Sequence, residues 1–257
     1  MCRWAAYTGT PIFLENVISR PGHSLIDQSI EAEECKTTTN ADGFGVAWYD
    51  ARTEPGLYRD VHPAWSDPNL RSVARQVKSG MFLAHVRAST GSATSRNNCH
   101  PFAVGRWSFM HNGQVGGFES FRKHADMLIP DDLYKYRKGA TDSEVMFLLA
   151  LGAGLETDPV AAMQSAIGQL EALSRKHGVK PHMRVSAAFS DGETLYAIRY
   201  SSDHITPSVY YRFSETHGGW AVVSEPLEHD EEGWEALPPG NILVLNKAGA
   251  QQFSFAP

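Results

Sequence analysis

At 257 residues, with 42% hydrophobic and 20% charged side chains, the chain has the make-up of a globular protein large enough to bury a substantial core. No apolar run approaches the roughly 20 residues a membrane span needs, and a net charge of −6 argues against nucleic acid as the main partner. The cysteines Cys2, Cys35 and Cys99 fit neither a disulfide framework nor a zinc site, and the start carries no basic-then-apolar leader. A cytoplasmic chain with free thiols is therefore expected, with no metal, no cofactor and no membrane association.

In chain order, short aromatic or β-branched runs come first: Arg3 to Tyr7, Phe44 to Tyr49, Phe82 to Val86 and Trp107 to Met110. Between the second and third, Asp67-Pro68 reads as an N-cap with proline in the first turn. Leu70, Val73 and Val77 share one helical face, and Gly80 is expected to close that helix. The middle is helical. Thr141-Asp142-Ser143-Glu144 has capping-box spacing ahead of Val145 to Leu151. Asp158-Pro159 opens a second helix that carries Val160, Met163, Ile167, Leu170 and Leu173 on one face and ends at Gly178. Strands return at Arg184 to Ser190, Thr194 to Tyr200, Ser208 to Phe213, Trp220 to Ser224 and Ile242 to Leu245. Asp191-Gly192 is expected to make a two-residue hairpin between the first two of these. Strands, then helices, then strands is an α+β pattern of stacked antiparallel sheets with flanking helices, and no linker or repeat divides residues 1–257. One domain is expected.

Cys2 is the first chemical signal. A buried cysteine commonly behaves as a small hydrophobe, and position two alone says no more than that. Removal of Met1, however, would leave a thiol and a free α-amine on one residue. An α-amine titrates near ~7.7–8.0 and can accept the thiol proton at neutral pH.

Further segments give Cys2 a context. His85-Val86-Arg87-Ala88-Ser89-Thr90-Gly91, His111-Asn112-Gly113 and Thr141-Asp142-Ser143-Glu144 follow it in this order. Asn40-Ala41-Asp42-Gly43-Phe44-Gly45, Asn98-Cys99-His100-Pro101-Phe102 and Val223-Ser224-Glu225-Pro226 complete the set. Together they resemble the glutaminase domain of class II glutamine amidotransferases, across essentially the whole chain. The likeness is to stand-alone members such as the ergothioneine-pathway γ-glutamyl hydrolase and the glutathione-degrading amidotransferase-like proteins of yeast.

The resemblance implies a four-layer αββα sandwich, the N-terminal-nucleophile hydrolase fold. It implies Cys2 as nucleophile, with Asn112 and Gly113 as the oxyanion hole. Arg87 and Thr90 would hold the substrate α-carboxylate, for which a guanidinium fork is suited, and Asp142 the α-ammonium. Each has a plainer alternative. A lone arginine forms salt bridges, a threonine at a strand end serves a turn, Asn-Gly makes turns, and acids favour a first helical turn. The pattern also departs from family members with attached synthetases, which carry Trp after the arginine and His-Gly after the threonine, where this chain has Ala88 and Gly91-Ser92.

The activity implied is hydrolysis of the γ-glutamyl amide of a small molecule through a Cys2 thioester. The alternatives are an ammonia-supplying subunit with a separate synthetase as partner protein, or a catalytically silent γ-glutamyl-binding protein. Asp42, Ser224 and Glu225 are expected to shape loops. His85, His100 and His111 are expected to act in hydrogen bonding rather than on a metal.

Overall fold

The computed structural model describes residues 2–34, 39–89, 93–228 and 233–257. The chain begins with β1 (Arg3–Phe13), α1 (Glu15–Ile18), α2 (Leu25–Ile30), β2 (Phe44–Tyr49), β3 (Gly56–Asp60), α3 (Pro68–Gln76) and β4 (Lys78–Val86). It continues with β5 (Phe102–Val104), β6 (Trp107–Val115), α4 (Phe118–Asp126), α5 (Asp131–Tyr134), α6 (Asp142–Gly152) and α7 (Pro159–His177). The last part holds β7 (Met183–Ser190), β8 (Leu195–Ser201), β9 (Tyr210–Ser214), β10 (Gly219–Val223), β11 (Glu235–Ala236), β12 (Asn241–Asn246) and β13 (Gly249–Ser254). No described helix is long and apolar enough to cross a membrane.

Two sheets form, in the orders β11-β9-β10-β1-β4-β2-β3 and β13-β12-β8-β7-β6-β5, with antiparallel pairing throughout. The period-two alternation of strand side chains sorts the apolar residues into three layers. Trp4, Ala6, Leu83, Met110, Ala188 and Leu243 pack between the sheets. Ala5, Tyr7, Phe82 and Ala84 face the other way, onto α1, α2 and α3. Phe109, Val185, Ala187 and Ile198 pack under α4, α6 and α7. Both faces of each central strand are therefore buried, which is why these strands read as nearly continuous apolar runs. The αββα sandwich of the sequence reading is what forms.

The helix starts follow their caps. The Asp67 side chain accepts from Leu70 N at 2.7 Å and Asp158 from Ala161 N at 3.0 Å, each followed by proline. The Thr141 hydroxyl accepts from Glu144 N at 3.2 Å. The reciprocal half of that capping box is absent, because Glu144 reaches Arg137 Nη1 at 2.7 Å and Gly139 N at 2.8 Å instead. A buried guanidinium nearby is a stronger partner for a carboxylate than one backbone N–H.

Two turn expectations are corrected. Gly80 does not end α3, whose C-cap is Val77; it lies inside β4. A Cβ there would stand 2.8 Å from Gly9 O, beside the irregularity between Thr8 and Ile12 of β1, so the glycine serves close strand approach. The β7–β8 connection has four residues, because Ser190 pairs with Leu195. Asp191 Oδ1 accepts from both Glu193 N and Thr194 N at 2.9 Å, which stabilises the longer loop.

Register brings the chemistry to one end of the sandwich. Arg3 pairs with Val86, setting Cys2 beside the start of the segment after β4. In the other sheet Asn112 pairs with Ser186, whose hydroxyl accepts from Trp4 Nε1 at 3.1 Å across the inter-sheet layer. The start of α6 is tied to the same strand end, because Val115 N donates to Asp142 Oδ2 at 2.8 Å.

Candidate active site

Cys2, Arg87, Asn112, Gly113 and Asp142 line one cavity of about 90 Å³, together with Ala88, Ser89, His100, His111 and Ser143. These residues come from just before β1, the segment after β4, the approach to β5, the later half of β6 and the first turn of α6. Thr90 and Met1 lie outside the described residues, as does Cys35.

Cys2 is partly exposed, with its Sγ held between the backbone of Ala88: N–H and carbonyl both lie at 3.5 Å. Dense surroundings push the thiol above its ordinary value, and the Ala88 hydrogen bond and Arg87 charge oppose this only in part. At neutral pH the thiol is therefore protonated.

The strand carrying Cys2 is anchored from behind. Arg3 Nη1 donates to Cys2 O at 3.2 Å, and Arg3 Nε lies 2.6 Å from Glu225 Oε2 in a buried ion pair. Glu225 also accepts from Glu33 N and Glu34 N, each at 2.9 Å, and meets His23 Nε2 at 2.7 Å. Burial would raise this carboxyl; Arg3, the two backbone donors and His23 outweigh it and hold it below the usual carboxylate range. Ser224 accepts from Trp4 N at 2.9 Å. Glu225 thus holds the 33–34 segment, as expected of a loop-shaping group, whereas the Ser224 side chain holds strand β1 itself.

Arg87 is buried. Its guanidinium donates to Asp42 O at 3.2 Å and Ser89 Oγ at 3.1 Å. Asp42 Oδ2 in turn accepts from Ser89 N at 2.7 Å, so the 40–45 segment and the 87–89 segment brace each other. Across the cavity, Asp142 Oδ1 accepts from Ser143 N at 2.8 Å and its other oxygen from Val115 N.

Asn112 is buried with neither amide atom bonded among the described residues. A buried amide left without a protein partner is costly unless a ligand or water engages it. Gly113 has φ +154°, and a Cβ there would strike the Arg184 carbonyl oxygen and lie 2.5 Å from His111 Nε2. Glycine is obligatory at this point of β6, and its bare backbone borders the cavity.

Three histidines converge here, His100 and His111 in the cavity lining and His85 packed on His100. His111 Nε2 faces Arg184 O at 3.2 Å, a carbonyl that can only accept, so this nitrogen carries the proton and Nδ1 accepts from Ser143 Oγ at 2.9 Å. Burial lowers His111 against the pull of Asp142. Burial and the Arg87 charge push His85 down to about 3, and burial with His85 beside it drives His100 well below its ordinary value. All three are neutral at pH 7. No group of three or more His, Cys, Asp or Glu among the described residues is placed to hold a metal. His100 lines the cavity itself, which motif reading did not reveal; the signal was the Asn98-Cys99-His100-Pro101 run.

The arrangement is a thiol, a buried amide and a half-buried glycine backbone lining one cavity, with a guanidinium and a carboxylate in the same lining. Comparison with known proteins places this geometry in context. The sequence model of glutamine amidotransferases class-II matches residues 22–208. The probable glutamine amidotransferase DUG3 of Saccharomyces cerevisiae is 32% identical, over 96% of this chain and 82% of its own. A γ-glutamyl-hercynylcysteine sulfoxide hydrolase of Mycolicibacterium smegmatis is 28% identical, over 96% of this chain and 97% of its own. The solved structure of a glutamine aminotransferase class-II domain protein from Silicibacter pomeroyi is 59% identical over the full length of both chains, with a TM-score of 0.81.

Proposed function

The chain belongs to the class II glutamine amidotransferases, and from that premise we propose that it hydrolyses a γ-glutamyl amide bond through a Cys2 thioester. The observation that carries the reading is the meeting of Cys2, Arg87, Asn112, Gly113 and Asp142 in one cavity, from segments up to 140 positions apart in the sequence. Among the relatives, the one from Mycolicibacterium smegmatis is named as the hydrolase of a γ-glutamyl compound, which supports a small-molecule γ-glutamyl substrate here.

With Met1 removed, the α-amine of Cys2 takes the thiol proton as Sγ attacks the γ-carbonyl carbon. The Asn112 side-chain N–H and the backbone at Gly113 stabilise the oxyanion. The C–N bond breaks, the amine leaves with the proton held by the N-terminus, and the γ-glutamyl group remains on sulfur. Water then attacks the thioester, its proton passes to the amine, and the C–S bond breaks to give glutamate and the free thiol. Arg87 binds the α-carboxylate and Asp142 the α-ammonium, so a ligand lacking either charge leaves a costly unpaired partner. The free Cys2 thiol that this chemistry needs supports a reducing, cytoplasmic setting.

The test is glutamate release from glutamine and from γ-glutamyl dipeptides by protein with a verified Cys2 N-terminus. Turnover that vanishes in Cys2→Ala supports the reading. No turnover of any γ-glutamyl amide contradicts it.

A further inference from the structure

Among the described residues lining the cavity, two have buried side-chain polar atoms that no hydrogen bond engages: Asn112 and His100. Asn112 is accounted for by the oxyanion. His100 is not, although both of its ring nitrogens are buried.

The His100 ring is set firmly. His85 packs on one side at 4.4 Å between centroids, and Phe102 meets it edge-on at 4.6 Å. Its backbone rests against β2, where a Cβ on Gly45 would collide with the His100 carbonyl. A side chain clamped in this way has lost its rotamer entropy before any ligand arrives, which suits it to recognition.

Its position points to one end of the ligand. The 93–100 segment wraps the guanidinium of Arg87: Nη2 donates to Ala93 O at 3.5 Å, and Asn98 Nδ2 donates to the same carbonyl at 2.8 Å. Asn98 Oδ1 also accepts from Ala140 N at 2.8 Å, tying the segment to the start of α6. His100 follows two positions after Asn98 and lines the same cavity as Arg87. Burial, with His85 and His111 beside the ring and Arg87 and Arg59 nearby, disfavours the imidazolium, so the imidazole contributes a neutral N–H.

We infer that His100 is a substrate-contacting residue, donating an N–H to the α-carboxylate whose charge Arg87 balances. This rests on the γ-glutamyl reading of the site. It makes carboxylate recognition a two-residue matter among the described groups, with Arg87 supplying charge and His100 a directed hydrogen bond. His85, which stays behind the ring and does not line the cavity, is the positioning residue for it.

The experiment is calorimetric titration of Cys2→Ala protein with glutamine and with its α-carboxamide counterpart, repeated in His100→Leu and His100→Gln backgrounds. A hydrogen bond to a charged group corresponds to roughly a tenfold to hundredfold change in affinity. His100→Leu should weaken glutamine by that factor and the carboxamide by much less, and His100→Gln, which keeps an N–H donor, should recover part of the loss. Unchanged glutamine affinity in His100→Leu, or equal weakening of both ligands, overturns the assignment while leaving the γ-glutamyl reading intact. If the Cys2→Ala parent binds neither glutamine nor a γ-glutamyl dipeptide, the γ-glutamyl reading fails and the His100 assignment fails with it.

Discussion

Arg3 and Glu225 form a buried ion pair at 2.6 Å one residue from Cys2, joining the first strand to a segment 222 positions away. The carboxylate is further held by two backbone N–H groups and His23, so its lone pairs are well used. Removing one member leaves the other charged and desolvated, which commonly costs about 3–5 kcal/mol. Arg3→Leu or Glu225→Leu should therefore lower unfolding stability by that order. The joint replacement should cost less than the sum of the two, as measured by urea denaturation in a double-mutant cycle. Additive losses would mean the pair is not coupled.

Gly113→Ala should be strongly destabilising and inactive, since its Cβ would meet the Arg184 carbonyl oxygen and His111 Nε2. Asn112→Ala removes only a side chain and should leave the melting temperature near that of the parent. Its kcat should fall about 10²–10³-fold with little change in KM, the pattern of a donor used in the transition state.

Arg87→Ala and Asp142→Ala should act mainly on ground-state recognition, raising KM for glutamine. Arg87→Lys should recover little, because a single ammonium cannot reproduce the bonds the guanidinium makes to Asp42 and Ser89 while still facing a ligand. Steady-state kinetics on the three variants distinguish this from a purely catalytic effect.

Acid should unfold the protein through its histidines. His85 titrates at about 3 in the fold against an ordinary value near 6.5, so between those pH values the unfolded chain binds the extra proton. The stability tied to keeping His85 neutral is complete above about pH 6.5 and is lost as pH falls through that window, at up to ~1.4 kcal/mol per pH unit. His100 and His111 are shifted in the same direction and steepen the fall. Urea midpoints between pH 5 and 8 should drop toward acid, and His85→Leu should flatten the slope even if it lowers the whole curve.

Local signals were the legible part of this molecule. Asp67-Pro68 and Asp158-Pro159 place their helices because capping acts within three residues, and Cys2, Asn112, Gly113 and Asp142 were visible as motif positions. Helix α4 was missed: Phe118, Phe121 and Ala125 mark its buried face, but its N-cap is Gly117 in a left-handed conformation, without a side-chain cap. The strand β13 was missed because an edge strand that is largely exposed shows no apolar alternation. Long-range pairing was beyond reach. Glu225 could be named, yet its partner Arg3 follows only from the placement of β1 beside β10. His100 likewise gains its meaning from His85, supplied by strand β4. Gly80 misled because a glycine needed for tight strand approach looks the same in sequence as one that ends a helix.

The central claim is that Cys2, freed of Met1, is the nucleophile of this cavity. Intact mass before and after incubation with a glutamine-like diazo ketone tests it most directly. The expected result is loss of the Met1 mass followed by one covalent adduct per chain, mapped to Cys2 and absent from Cys2→Ala. A chain that begins at Cys2 and takes no adduct, or takes it at Cys99 instead, would contradict the account.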